Sequence, residues 1–161
     1  TDKSIAEELS ERYQAPIERA KAMIKNATEI AKEFGLTFNH EKSVPTNTAR
    51  AHQLQHFVMQ NDFSKSDQTA MALFHAYFTD GKNLADIATL LTIAEELELD
   101  LDALTDALDS EQYLNQVRDD ENFAHQLQIQ SVPFFVINQE LAIQGSQTID
   151  EFEKFLREEL S

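Results

Sequence analysis

One short stretch constrains this chain more than any other: Ser131-Val-Pro-Phe-Phe-Val-Ile-Asn138. Everything before it reads as helix with polar connections, and here a β-branched and aromatic run appears. Such a run reads as a buried strand. Pro133 fits its head, because proline has no N–H to give to a ladder and is tolerated at a strand's first residue or on an edge. Asn138-Gln-Glu140 reads as a tight polar turn and Leu141-Ala-Ile-Gln144 as a second strand, so the pair forms an antiparallel hairpin that Gly145 ends. A lone two-stranded hairpin is marginal in water. Phe134–Ile137 is also too apolar to be an edge. The hairpin needs further strands, either from polypeptide upstream of Thr1 or from a second copy of the chain, and a homodimer is expected on that ground.

The upstream sequence supplies helices. Ile5, Leu9 and Tyr13 are at helical spacing over Ser4–Gln14. Pro16 fits the first turn of a second helix, whose apolar stripe runs Ile17, Ala20, Ile24, Ala27, Ala31 and Phe34, with Gly35 as its stop. Leu36–Asn47 reads as an extended connection. Thr46–Asp62 is predicted helical, with Ala51, Leu54, Phe57 and Val58 inward. Asp67–Thr79 is apolar nearly all round and is expected at the centre of the helical cluster. Helices over Leu84–Glu98, from Asp100 or Asp102 to Leu108, and from Ser110 to about Gln128 follow. Thr148-Ile-Asp-Glu151 matches a capping box for a last helix that buries Ile149, Phe152, Phe155 or Leu156, and Leu160.

Charge and cysteine content narrow the function classes. Lys and Arg total 13 against 29 Asp and Glu, for a net charge of −16. So acidic a surface repels phosphate backbones and anionic lipid, which argues against nucleic-acid and membrane partners. No stretch is long and apolar enough to span a bilayer, and no signal peptide is recognisable. The chain holds no cysteine, so neither a disulfide scaffold nor a thiol nucleophile resides within it.

Most other motifs read as structure. His52 and His56 stand at i and i+4, but no Glu follows the first His and no third ligand is placed, so no metal is expected. His75, on the most apolar helix, reads as a satisfied core-side group, and His40 and His125 have no companions. Adjacent carboxylates such as Glu95/Glu96 and Asp119/Asp120 diverge on a helix. Three glycines cannot build a phosphate loop, and no nucleophile elbow is present. The Val132–Pro133 element remains. A tertiary amide lowers the cost of a cis bond to about 0.5–1 kcal/mol. In that geometry the Val132 N–H and C=O would face outward, able to pair with an extended peptide or a thiol-bearing ligand. On the residues alone, a structural turn and a ligand loop are equal alternatives.

Ser131-Val-Pro-Phe-Phe-Val-Ile-Asn138, then Ile143-Gln-Gly-Ser-Gln147 and a capped terminal helix, resembles the end of DsbA-like thiol–disulfide oxidoreductases of the FrnE-like branch. Asn47-Thr-Ala-Arg-Ala-His52-Gln-Leu54 and Leu73-Phe74-His-Ala76-Tyr77-Phe78…Gly81 resemble two helical segments of that branch. The resemblance covers nearly the whole chain in order. Ser131 stands where Gly is usual before Val-Pro, and Ser146 where Ala is usual after Gly. The family's opening strand, Cys-x-x-Cys and following strand are absent.

The resemblance implies a thioredoxin-like α/β parent. This chain would supply its helical insertion domain (mostly residues 1–128) and its C-terminal hairpin and helix (129–161). It implies a cytoplasmic dithiol–disulfide oxidoreductase or isomerase, whose chemistry is thiolate attack on a disulfide. No catalytic residue lies in this chain on that reading. Ser131, Val132 and Pro133 form the cis-proline loop that holds a protein or small-molecule disulfide or thiol substrate. Ser146 and Gln147 are further contacts to substrate or glutathione, and neither cofactor nor metal is called for. Two rivals stand beside it: a glutathione-using transferase or isomerase of the related kappa type, and a non-enzymatic, cysteine-free helical binding module.

Overall fold

The computed structural model describes residues 3–159. The chain divides into two compact units, Thr1–Arg118 and Asp119–Ser161.

The first unit is helical. α1 (Ile5–Arg12) opens on a capping box in which the Glu7 N–H donates to Ser4 Oγ and the Ser4 N–H donates to Glu7 Oε2. α2 (Ile17–Glu33) packs against α1, and Pro16 stands as its N-cap rather than inside its first turn. Only Ala20 and Ala31 of the α2 stripe are buried, and Phe34, expected inward, is 76% exposed.

α3 (Ala49–Asn61) is the centre of the unit, in contact with α4 (Ser66–Phe74), α5 (Ile87–Glu96) and α6 (Leu101–Asp109). Leu54, Val58, Leu90 and Leu104 are wholly shut off from water. Burying a Leu or Val side chain stabilises by about 1.5–3 kcal/mol, so this cluster carries the unit. Asp86 and Asp100 cap α5 and α6 by accepting the N–H of Thr89 and Ala103.

The helix expected at the centre is α4, and there the structure differs. It turns only the Thr69–Leu73–Ala76 stripe inward, while Met71 and Phe74 are each 58% exposed. α3 fills the centre, so the outer apolar face of α4 is left more than half exposed, bordered by the segment 35–38 and Phe78. The segment is also not one regular helix: His75–Thr79 winds into a π-helical turn, where the ladder spacing widens. The preceding connection is strapped to that turn. The Asn39 N–H donates to Phe78 O and its Nδ2 to Thr79 O, both at 2.7 Å; Ser43 Oγ donates to Tyr77 O at 3.0 Å. Phe38 stacks on Phe78 with ring centroids 4.6 Å apart.

α7 (Leu114–Gln126) begins four residues later than the expected Ser110. Glu111 turns the chain at φ +52°, and buried Tyr113 accepts from Asn61 Nδ2 and meets the edge of Phe57.

In the second unit β1 (Phe134–Ile137) pairs antiparallel with β2 (Leu141–Gln144), with Phe134 opposite Gln144 and Ile137 opposite Leu141. Asn138 and Gln139 turn the hairpin at positive φ, and the Glu140 N–H donates to Ile137 O. α8 (Ile149–Glu159) follows through the expected capping box between Thr148 and Glu151. Phe152 packs edge-on against Phe135 of β1, centroids 5.1 Å apart. Ile149, expected inward, is 85% exposed, because it stands at the first turn beyond the reach of the hairpin. Phe152, Phe155 and Leu156 are half-buried; Leu160 lies outside the described residues. Among the described residues of this unit Ile143 alone is fully buried.

Candidate functional site

The candidate site is the open end of the hairpin. The Gly145 N–H donates to Pro133 O at 2.8 Å, which extends the ladder by one bond beyond Phe134 and Gln144. That bond sets the segment 131–133 beside the segment 145–147. Gln144 Nε2 donates to Ser131 Oγ at 3.2 Å, and Gln147 Nε2 to Gln144 O at 3.5 Å. Ser131, Val132, Pro133, Ser146 and Gln147 are thus brought to one end of one hairpin, all of them exposed.

Val132 is 84% exposed, and the Val132–Pro133 peptide bond is cis. Among the described residues neither the N–H nor the C=O of Val132 has a hydrogen-bond partner. A donor and an acceptor left open on one residue at a sheet end are what a second extended chain needs for pairing. Phe135 and Val136 of the adjoining strand are about two-fifths exposed, so the strand is only partly covered. Close by, Glu151 accepts the Thr148 N–H and O–H, and these bonds hold its carboxyl below the ordinary glutamate range.

The histidines fall elsewhere. His52 is exposed and His56 half-buried, and no group of three or more metal-binding side chains occurs among the described residues. His75 is not core-side: its side chain is 65% exposed, with Nδ1 3.4 Å from Asp80 Oδ2. His75 stands four residues after exposed Met71, on the same face of the helix, and shares its exposure. His40 does have companions, lying edge-on to Phe38 and Phe78. Burial lowers its pKa. No helix among the described residues is long and apolar enough to cross a membrane.

Comparison with known proteins adds three findings. A family described as DSBA-like thioredoxin domain matches residues 4–157. An uncharacterized protein of Bacillus subtilis strain 168, YwbO, is 29% identical over 132 residues, which are 81% of this chain and 64% of that protein. The chain therefore spans a little under two thirds of that relative's length. A crystal structure titled as a probable DsbA oxidoreductase of Streptomyces coelicolor superposes with a TM-score of 0.84 at 24% identity, over 97% of this chain and 67% of the other. At that identity the likeness bears on fold alone.

Proposed function

The chain belongs to the DsbA-like thioredoxin-domain family, and from that premise we propose that it is the helical and C-terminal part of a cytoplasmic dithiol–disulfide oxidoreductase or isomerase, with the Ser131–Pro133 loop as the substrate-holding element. The observation that carries this reading is Val132, 84% exposed with both backbone groups unpaired at the head of the hairpin. A substrate strand lying across it gains two backbone hydrogen bonds independent of its side chains, as an enzyme acting on many disulfides requires. Ser131, Ser146 and Gln147 offer hydroxyl and amide groups at the same end. Exchange itself needs a thiolate that attacks one disulfide sulfur and expels the other. This sequence has no cysteine, so on this reading the thiolates reside in polypeptide outside it, together with the strands that complete the sheet. Absent those strands, the uncovered β1 edge pairs with a second copy of the chain.

Intact mass of the endogenous protein, before and after reduction and thiol alkylation, tests the redox part. A longer product that gains a pair of alkyl groups supports it; a product beginning at Thr1 that gains none overturns it. In the second case the absence of cysteine favours a glutathione-using, kappa-type reading, tested by amide shifts at Ser131, Val132 and Gly145 on adding glutathione. Sedimentation tests self-association, and a monomer whose hairpin amides are well protected from exchange refutes it.

A further inference from the structure

A wide cleft in the first unit has no part in the chemistry described above. It lies between α1, α2 and the strap that follows α2, a half-open groove of about 1000 Å³, at the upper end of the range for organic ligands. Lys3, Lys21, Lys25, Lys32 and Lys42 line it: five of the eight lysines of a chain whose net charge is −16. Residues 1–46 hold seven Lys and Arg against eight Asp and Glu, whereas the rest of the chain holds six against 21. The cations are therefore concentrated about this cleft. Three of the lysines sit near carboxylates, Glu11, Glu18 and Glu29. Lys32 and Lys42 have no carboxylate within 4 Å among the described residues. Glu29 and Glu41 also line the cleft, so its lining keeps an excess of positive charge.

Beneath the lysines the surface is apolar, formed by Ile5, Ile24, Phe38 and Val44. His40 stands in the same wall, its Nε2 shut off from water and without a hydrogen-bond partner. We propose that this cleft binds a small amphipathic monoanion, an aliphatic chain ending in a carboxylate, with the chain on the apolar floor and the carboxylate among the lysines. The charge distribution selects the size of the ligand. A polyanion such as a nucleic acid or an acidic peptide feels the whole negative field of the protein, while a single charge within a Debye length of about 8 Å feels mainly the lysines beside it.

Sodium dodecanoate is the probe, titrated into the chain by calorimetry and by amide and His ring NMR shifts. One saturable site is expected, with shifts centred on Thr28, Phe38 and the His40 ring. Dodecylammonium, of equal chain length and opposite charge, leaves those signals in place. Lys32→Glu with Lys42→Glu weakens binding by at least about tenfold, as reversal of interface charge does. Should that double variant fail to fold, raising salt from about 0.02 M to about 0.5 M weakens binding to the unaltered chain in the same direction. Absence of saturable binding, equal binding of dodecylammonium, or shifts centred on Leu36, Met71 and Phe74 overturns the proposal.

Discussion

Gly35 and Gly81 share a backbone conformation, φ +74° and +70°, yet replacing each by alanine should have different consequences. Left-handed backbone costs an L residue about 1 kcal/mol. At Gly35 nothing lies within 4 Å of an added Cβ, so Gly35→Ala should lose about that much and no more. At Gly81 the same atom would lie 2.5 Å from Lys42 O and 2.6 Å from Lys42 Cβ. Lys42 would have to retreat by about 1 Å to reach the ~3.5 Å of ordinary contact. Its neighbour Ser43 is buried and bonded to Tyr77 O, and Asn39 holds Phe78 O and Thr79 O. Losing two of these bonds costs about 2 kcal/mol. The expected total for Gly81→Ala is about 3 kcal/mol, so it should fall about 2 kcal/mol below Gly35→Ala, or about 4–8 °C in Tm. Urea and thermal unfolding followed by circular dichroism measure the difference. Hydrogen exchange at the Asn39 amide shows whether the strap is what loosened. Equal losses in the two variants would refute the reasoning, because the φ term is common and only the contact with Lys42 separates them.

Two further outcomes follow from the same structure. Leu54→Ala, in the centre of α3, should cost about 2–5 kcal/mol in urea unfolding, whereas Phe74→Ala, more than half exposed, should stay within about 1 kcal/mol; near-equal losses would place α4 at the centre after all. Stability should also fall on acidification in two stages. Burial lowers His40 from its usual 6.5, so the unfolded chain takes up that proton first and stability declines below pH 6.5. Glu7 and Glu151, held below 4.5 by the N–H and O–H groups of Ser4 and Thr148, contribute stability above pH 4.5 that is lost as pH falls through their folded pKa values. Urea midpoints against pH, with NMR titration of the two carboxyls, check both stages, and a gain in stability between pH 6.5 and 4 would contradict them.

The local devices were legible in the sequence because each is written within a few residues. The Thr148–Glu151 box, the Asp100 cap, the Gly35 stop and the hairpin with its turn are all found in the structure. What was not legible depends on competition between elements. The apolar content of Asp67–Thr79 marks burial, but α3 offers a stripe that packs against three helices, and α4 is left with Met71 and Phe74 outside. His75 stands four residues after exposed Met71 on the same face, so its facing is set by the same competition. As substrate contacts, the candidate residues Ser131, Val132, Pro133, Ser146 and Gln147 came from the resemblance and not from any spacing in the sequence. Their convergence rests on one long-range bond, Gly145 N–H to Pro133 O, which only the hairpin register supplies.

Two kinds of open backbone group meet at Pro133. On its C-terminal side, Phe134–Ile137 carries backbone groups along a free edge and the exposed side chains of Phe135 and Val136, and such an edge takes another strand. On its N-terminal side stands Val132, with its own unpaired N–H and C=O. Pro133 O accepts the Gly145 N–H, so the Pro133 backbone faces β2 and its missing N–H takes nothing from the free edge. On the function proposed above, the completing strand must therefore end at Phe134 for the Val132 groups to stay open to substrate.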